Sequence, residues 1–213
     1  KRMALVLRKN LALWVNYTGT VAGRDKFLKL VDYYLRFHLY FLPKTDAAFA
    51  PLKSVGDAIK SSRKLFRIGR SADFVKQIID TYSADLPPLI KALNIVRAFG
   101  YAAWLFYDNG AWLESILGLK QRLGWNPQAI GDKAARWWLL GLIAAIVLDI
   151  IHLQRALQKS KEAKKETLDL VRDVCDTAAP LFRLGLIVPN EAVVGIAGVI
   201  SSVISIYQTF PRK

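Results

Sequence analysis

Residues 48–79 read AFAPLKSVGDAIKSSRKLFRIGRSADFVKQII, and this stretch decides how the chain is interpreted. On a helical wheel of about 100° per residue, its first four turns separate into an apolar and a basic face. The apolar face holds Leu52, Val55, Ile59 and Phe66. The opposite face and its boundary hold Lys53, Lys60, Arg63, Lys64, Arg67 and Arg70. We predict one amphipathic helix that either lies on an anionic membrane or packs its apolar face on its own domain.

The composition favours a membrane. Of the 213 residues 53% are hydrophobic, yet the formal net charge is +14. A soluble nucleic-acid binder would explain the charge but not the apolar content, which exceeds the roughly 45–50% of soluble chains. A membrane protein with a basic surface explains both. Because strand-like alternation is lacking, we predict an all-α fold: a membrane-associated helical bundle with amphipathic helices and about two transmembrane helices.

Two segments near the C-terminus are apolar enough to cross a membrane, which takes about 20 residues. Residues 137–153 read WWLLGLIAAIVLDIIHL, and residues 192–210 carry no charge. Residues 88–118 are also apolar, but Arg97, Asp108 and Glu114 interrupt them. For residues 88–118 we therefore predict a helix pair at the membrane surface and not a span.

Charge is unevenly distributed along the chain. Residues 1–136 hold 22 of the 31 Lys and Arg residues against 10 Asp and Glu. The positive-inside rule places that portion in the cytosol, although the loop between the spans also leans basic. We predict a basic, mostly cytosol-facing region over residues 1–131 and a membrane-anchoring region over residues 132–213. Two spans would return the C-terminus to the cytosol, so both termini would be cytosolic.

Small residues recur along one side of the last span. They are Gly195, Gly198, Ser201, Ser202 and Ser205. In lipid, helices associate by close backbone approach at such residues, so this stripe predicts helix packing or oligomerisation. Its partner is either the span at 137–153 or another subunit. The alternative is the ordinary Gly and Ser content of membrane helices.

The sequence predicts no enzyme. Cys175 is the only cysteine, and His38 and His152 are far apart, so we assign no catalytic residue, no metal and no cofactor. Asp149 lies three residues before His152 in the first span. The two either mark a polar pathway through the membrane or form a local pair at its interface.

Four motifs, in order along the chain, resemble those of the peroxin-11 family of peroxisomal membrane proteins. Residues 22–26 (AGRDK) with the aromatic run at 33–37 are similar to its N-terminal pattern, and residues 62–67 (SRKLFR) to its basic core. The aromatic residues at 101, 107 and 112 and the sequence GIAGVISS at 195–202 resemble its later motifs. Asp32 stands where the family commonly has Gln.

The resemblance implies an integral protein of the peroxisomal membrane that promotes peroxisome proliferation and fission. In the family, the second amphipathic helix inserts into the cytosolic leaflet and tubulates the membrane before a dynamin-related GTPase acts. The implied partners are therefore anionic phospholipid, further copies of the same chain, and the fission GTPase with its adaptor. The resemblance also implies cytosolic termini.

Two functions remain open. In the first, the apolar face within residues 48–79 expands one leaflet while the basic residues bind anionic headgroups. In the second, the chain forms a pore for small metabolites, lined by Asp149 and His152 with Arg97 as a further candidate. A nucleic-acid binder conflicts with the uncharged last span, so no nucleic-acid partner is expected.

Overall fold

The computed structural model describes residues 2–118, 126–159, 162–188 and 190–211, without the side chains of residues 2 and 4–6. These residues form helices and connecting turns with no strand among them, so the all-α prediction is confirmed. The helices are α1 (Arg2–Gly19), α2 (Val21–Phe41), α3 (Phe49–Phe66), α4 (Ser71–Ser83), α5 (Pro88–Leu117), α6 (Pro127–Gln158), α7 (Lys164–Asp176), α8 (Ala178–Arg183) and α9 (Glu191–Thr209).

Several helix starts follow local sequence signals. The Thr20 side chain accepts a hydrogen bond from the Gly23 amide at the start of α2. Asn126 and Asn190 each accept from two amides at the starts of α6 and α9. Pro127 fills the first turn of α6, where an amide would lack a helical partner in any case. Because these side chains satisfy otherwise unpaired amides, the boundaries are encoded locally.

The amphipathic helix predicted over residues 48–79 is in fact two helices. α3 ends at Phe66 and α4 begins at Ser71. Between them Gly69 has a φ of +80°, a left-handed conformation that glycine adopts without steric cost. The single helix is wrong because a helical wheel registers apolar spacing and not a local break in the helix.

Residues 88–117 form one helix, α5, and not the predicted pair. With α6 and α9, it is one of three helices in the described chain that are long and apolar enough to cross a membrane. The predicted spans at 137–153 and 192–210 correspond to α6 and α9. The third candidate was missed because three charges interrupt it in sequence, whereas in the fold all three line an internal cavity.

The helices form six walls that close a ring. In order, the walls are α2, α3 with α4, α5, α6, α7 with α8, and α9, which returns to α2. Neighbouring walls run antiparallel. Along α3 and α4, for example, Ser61 contacts Trp112 and Phe74 contacts Tyr101. The residue number on α5 thus decreases as the residue number on α3 and α4 increases, which is the antiparallel order. Short connections favour such antiparallel neighbours.

α9 closes the ring against α2 through its small residues. The five buried residues of the predicted stripe are Gly195, Gly198, Ser201, Ser202 and Ser205. A Cβ added at Gly195 would lie 2.7 Å from the backbone of Phe37, and one at Gly198 would clash with the Tyr33 ring. The stripe therefore packs on α2 of the same chain, a partner that the sequence did not indicate.

The end of α9 lies beside the end of α1. The hydroxyl oxygens of Tyr17 and Thr209 are 3.4 Å apart, and the Tyr17 ring packs on Phe210. The boundary proposed after residue 131 falls inside α6, and α9 packs on α2, so both predicted regions contribute walls to one ring. Which surfaces face the cytosol stays a prediction.

Candidate functional site

A cavity of about 1620 Å³ lies inside the ring. All six walls line it, and its described lining includes thirteen Lys and Arg and eight Asp and Glu side chains. The outside of the ring carries many exposed apolar side chains: Phe106, Ile79, Ile143 and Val203 are 68%, 62%, 51% and 51% exposed. A charged interior within an apolar exterior is the reverse of a soluble protein, and it fits a protein surrounded by lipid.

The cavity opens at one end of the ring. Its lining reaches Lys44, Phe49 and Pro127, at the helix ends remote from Tyr17 and Thr209. At the other end the lining stops at Arg97 and Arg172, and no described residue of 83–96, 139–159 or 162–171 contributes to it. The cavity is therefore a vestibule that is open at one end, and not a channel through the ring.

Arg63 joins α2 to α3 in the vestibule wall and is only 8% exposed. Its Nε lies 3.3 Å from the Asp25 carboxylate and its Nη1 donates to Asp32 at 2.5 Å. Burial disfavours the guanidinium charge, but Asp25 and Asp32 outweigh it, so the pKa of Arg63 is raised. We call these three residues the Arg63 cluster.

Asp108 of α5 holds the other side of α3. It lies 3.2 Å from Lys64 Nζ and 3.0 Å from Arg67 Nη2. The Arg67 guanidinium also lies over the Trp104 ring, 5.2 Å from its centroid, in a favourable cation–π arrangement. Burial lowers the pKa of Arg67, and the charge of Asp108 opposes that effect. The basic face of α3 therefore docks the helix between α2 and α5.

Ion pairs also join α2 to α7 and α9, on the side of α2 that faces away from α3. Lys29 Nζ lies 2.7 Å from the Asp176 carboxylate of α7. Arg36 pairs with Glu191 at the start of α9 and lies over the ring of Phe182 in α8. The charged face of α2 thus contacts three other walls of the ring.

Four of the cations that line the vestibule have no described carboxylate within ion-pair distance. They are Lys26, Lys44, Lys60 and Arg97. Burial, with the charges of Arg172 and Arg70, lowers the pKa of Lys26. Burial also lowers the pKa of Lys60, although Asp32 opposes it. Charge in the vestibule is therefore unbalanced, with cations in excess.

The structure brings all six predicted lipid-binding residues to the vestibule wall. They are Lys53, Lys60, Arg63, Lys64, Arg67 and Arg70. Lys53 is exposed and pairs with Asp57 of its own helix at 2.7 Å. In this conformation the basic face therefore contacts protein and the vestibule.

The predicted inserting residues lie on the other side of α3. Val55 is 49% exposed, and Leu52 and Ile59 are half-buried. Phe66 lines a small groove with Trp14 and Phe27. The outer surface of α3 is therefore apolar over its first three turns.

The three predicted pore residues separate in the fold. Arg97 lines the vestibule near its closed end. Asp149 is 8% exposed but is not among the lining residues, and His152 lies on the exposed outside of α6. Asp149 and His152 form no ion pair, so the structure supports neither a lining role nor the local pair for them.

Sequence reasoning missed the charged face of α2 as part of the site. Asp25, Lys29, Asp32 and Arg36 follow one another at helical spacing and all line the vestibule. That spacing was readable, but it does not say which helix lies opposite, so it did not identify these residues as part of a site. Asp173 and Asp176 on α7 were missed for the same reason.

Comparisons with known proteins agree on one family. The family model described as Peroxisomal biogenesis factor 11 (PEX11) matches residues 11–210. The chain is 25% identical to peroxisomal membrane protein PMP30B of Candida boidinii, over 90% of this chain and 91% of that protein. It is 23% identical to human peroxisomal membrane protein 11A, over 89% and 92%, and 23% identical to PMP27 of Saccharomyces cerevisiae, over 94% of each. No solved structure matches the chain significantly.

Proposed function

The chain belongs to the peroxisomal biogenesis factor 11 family, and on that premise we propose that it bends the peroxisomal membrane with a releasable α3. Membership implies a role in peroxisome proliferation, and the relatives are peroxisomal membrane proteins. The mechanism proposed here is finer: α3 leaves the ring, inserts its apolar face into one leaflet and presents its basic face to anionic headgroups.

One observation carries this proposal: α3 is two-sided, and its basic side is held to the neighbouring walls largely by polar contacts, the ion pairs of Arg63, Lys64 and Arg67 and the cation–π contact of Arg67 with Trp104. Its outer side already carries Val55, half exposed. Release would cost the contacts of the Arg63 cluster and of Asp108. Each Lys or Arg brought to an anionic surface returns about 1 kcal/mol, so six of them offset part of that cost.

Liposome tubulation by the purified full chain tests the mechanism. Replacing Lys60, Lys64 and Arg67 together with Glu removes headgroup attraction, so tubulation should be lost. Asp25→Asn with Asp32→Asn removes both partners of Arg63 and should increase tubulation by favouring release. Asp57→Asn is the control, since Asp57 pairs only within α3. If the Glu variant tubulates normally, or the Asn variant does not exceed the wild type, the mechanism is wrong.

Further elements of the proposal come from the family resemblance. We propose that copies of the chain self-associate in the membrane and that a dynamin-related fission GTPase with its adaptor acts after them. Cytosolic termini belong to the same proposal, which the proximity of Tyr17 and Thr209 supports.

A second candidate function, passage of small solutes, is favoured by the vestibule. Six antiparallel walls with charges inside and apolar side chains outside can hold water within a bilayer. Passage requires the closed end near Arg97 and Arg172 to open. In planar bilayers, Arg97→Gln should reduce conductance and His152→Leu, on the outside, should not. Absence of wild-type conductance would remove this candidate.

A further inference from the structure

We infer that the vestibule is a binding site for organic polyanions, solutes that carry phosphate or carboxylate groups together with an apolar or aromatic part. The inference uses the cavity of the second candidate function but requires only binding, not passage. Nor does it depend on the release of α3.

The first ground is the imbalance of charge. Among the described residues, the lining has thirteen cationic and eight anionic side chains. Three cations without a carboxylate partner in the described chain, Lys26, Lys60 and Arg97, come from three different walls. Cations in a partly desolvated cavity are stabilised by an anion of opposite charge. Arg70 and Arg172 also lie near Lys26, and the charge of Asp25 opposes their effect only in part, since the pKa of Lys26 remains lowered.

The second ground is the spacing of these cations. Lys60 lies beside Asp32 and Arg36, whereas Lys26 lies at the start of the same face of α2. At 1.5 Å of rise per residue, the positions of the two lysines along the ring differ by on the order of 10 Å. One small ion cannot contact both at once. An extended solute with several anionic groups can.

The third ground is the apolar part of the lining. Tyr101, Trp104 and Leu105 of α5 face the vestibule, with Trp138 of α6 stacked on Trp104 at 4.8 Å between centroids. Aromatic side chains of this kind can stack on the apolar or aromatic part of an organic anion while the cations contact its charged groups. The volume of about 1620 Å³ exceeds the roughly 300–1,000 Å³ of common ligand pockets. A nucleotide-sized polyanion therefore fits.

Binding is tested on the full chain purified in detergent, with ATP as the polyanion and adenosine as its uncharged counterpart. ATP should bind more tightly than adenosine. Lys26→Gln with Lys60→Gln should weaken ATP binding by at least about tenfold, because two charge-assisted contacts are lost. Lys76→Gln with Lys91→Gln is the matched control, since neither residue lines the vestibule. Equal affinity for ATP and adenosine, or equal weakening by both double variants, would overturn the inference.

A second measurement needs no variant. ATP should protect Lys26 and Lys60 of the wild-type chain from acylation, read by mass spectrometry, and should leave Lys76 unprotected. If ATP protects neither vestibule lysine, the inference is wrong. Neither measurement involves bending or solute flux, so failure of those functions and failure of binding are separate results.

Discussion

At the scale of single residues, Arg63 carries the strongest prediction. Arg63→Met would leave Asp25 and Asp32 without their shared cation in a mostly buried wall. Breaking a buried pair by removing one partner costs about 3–5 kcal/mol. We expect thermal unfolding in detergent to show a loss of stability of that order.

Lys53→Met is the control for Arg63→Met. Lys53 pairs with Asp57 at the exposed rim, with side-chain exposures of 59% and 64%. Exposed pairs contribute about 0–1 kcal/mol, so this change should leave the unfolding temperature nearly unchanged. Similar losses in the two variants would contradict the structural role of the Arg63 cluster.

Two lysines with opposite pKa shifts give a pH prediction. Burial lowers the pKa of Lys60, whereas a hydrogen bond to Asp80 raises the pKa of Lys76 on the outside of α4. Only the neutral amine is acylated, and a lower pKa leaves more neutral amine at a given pH. With a small uncharged reagent, Lys60 should therefore reach half-maximal acylation at a lower pH than Lys76. The reverse order in peptide mass spectra would contradict the environment assigned to Lys60.

The residue pattern around α3 was largely readable from sequence, and its surroundings were not. Helical spacing separated Leu52 and Val55 from Lys60 and Arg63 correctly. It could not show that Asp32 lies opposite Arg63, because that contact depends on how two helices pack. The basic face was therefore expected to meet lipid headgroups, whereas in the ring it meets carboxylates.

At the scale of elements, the turn between α3 and α4 gives the next prediction. Gly69→Ala forces a side chain into the left-handed region at φ +80°, which costs about 1–2 kcal/mol. Gly56→Ala lies inside α3, where the nearest atom to a new Cβ is Leu35 Cδ1 at 3.9 Å. Helix propensity then favours Ala by about 0.5–1 kcal/mol. The unfolding temperature should be lower than that of the wild type for Gly69→Ala and higher for Gly56→Ala. A shift of the same sign in both would contradict the helix boundaries.

Element type was easier to predict than element role. α6 and α9 were identified as spans because their apolar runs are nearly free of charge. α5 was rejected because Arg97, Asp108 and Glu114 count against a span when the sequence is scored alone. Once those residues line an internal cavity, the same charges are compatible with a lipid-facing outer surface.

At the scale of the whole molecule, the ring explains both the many charges and the apolar surface, since it places charges inside and apolar side chains outside. Each amphipathic wall places its polar side inward, so charges that are paired across walls also fix the order of the walls. The excess of cations then remains inside, where it defines the vestibule. Sequence composition contained this excess as a net charge of +14 but could not say that part of it is internal.

The direction in which the vestibule opens gives a prediction for the assembled membrane protein. α5 and α6 run along the ring and are long enough to cross a bilayer, so the two ends of the ring should lie on opposite sides. In a Cys175→Ser background, Lys44→Cys marks the mouth and Thr209→Cys marks the end that carries Tyr17. On sealed vesicles an impermeant maleimide should label one position, and the other only after permeabilisation. Cys175→Ser alone should stay unlabelled, which controls for non-specific reaction. Labelling of both positions from one side would show that the ring axis lies parallel to the membrane plane. In that orientation α3 could reach the headgroups without leaving the ring.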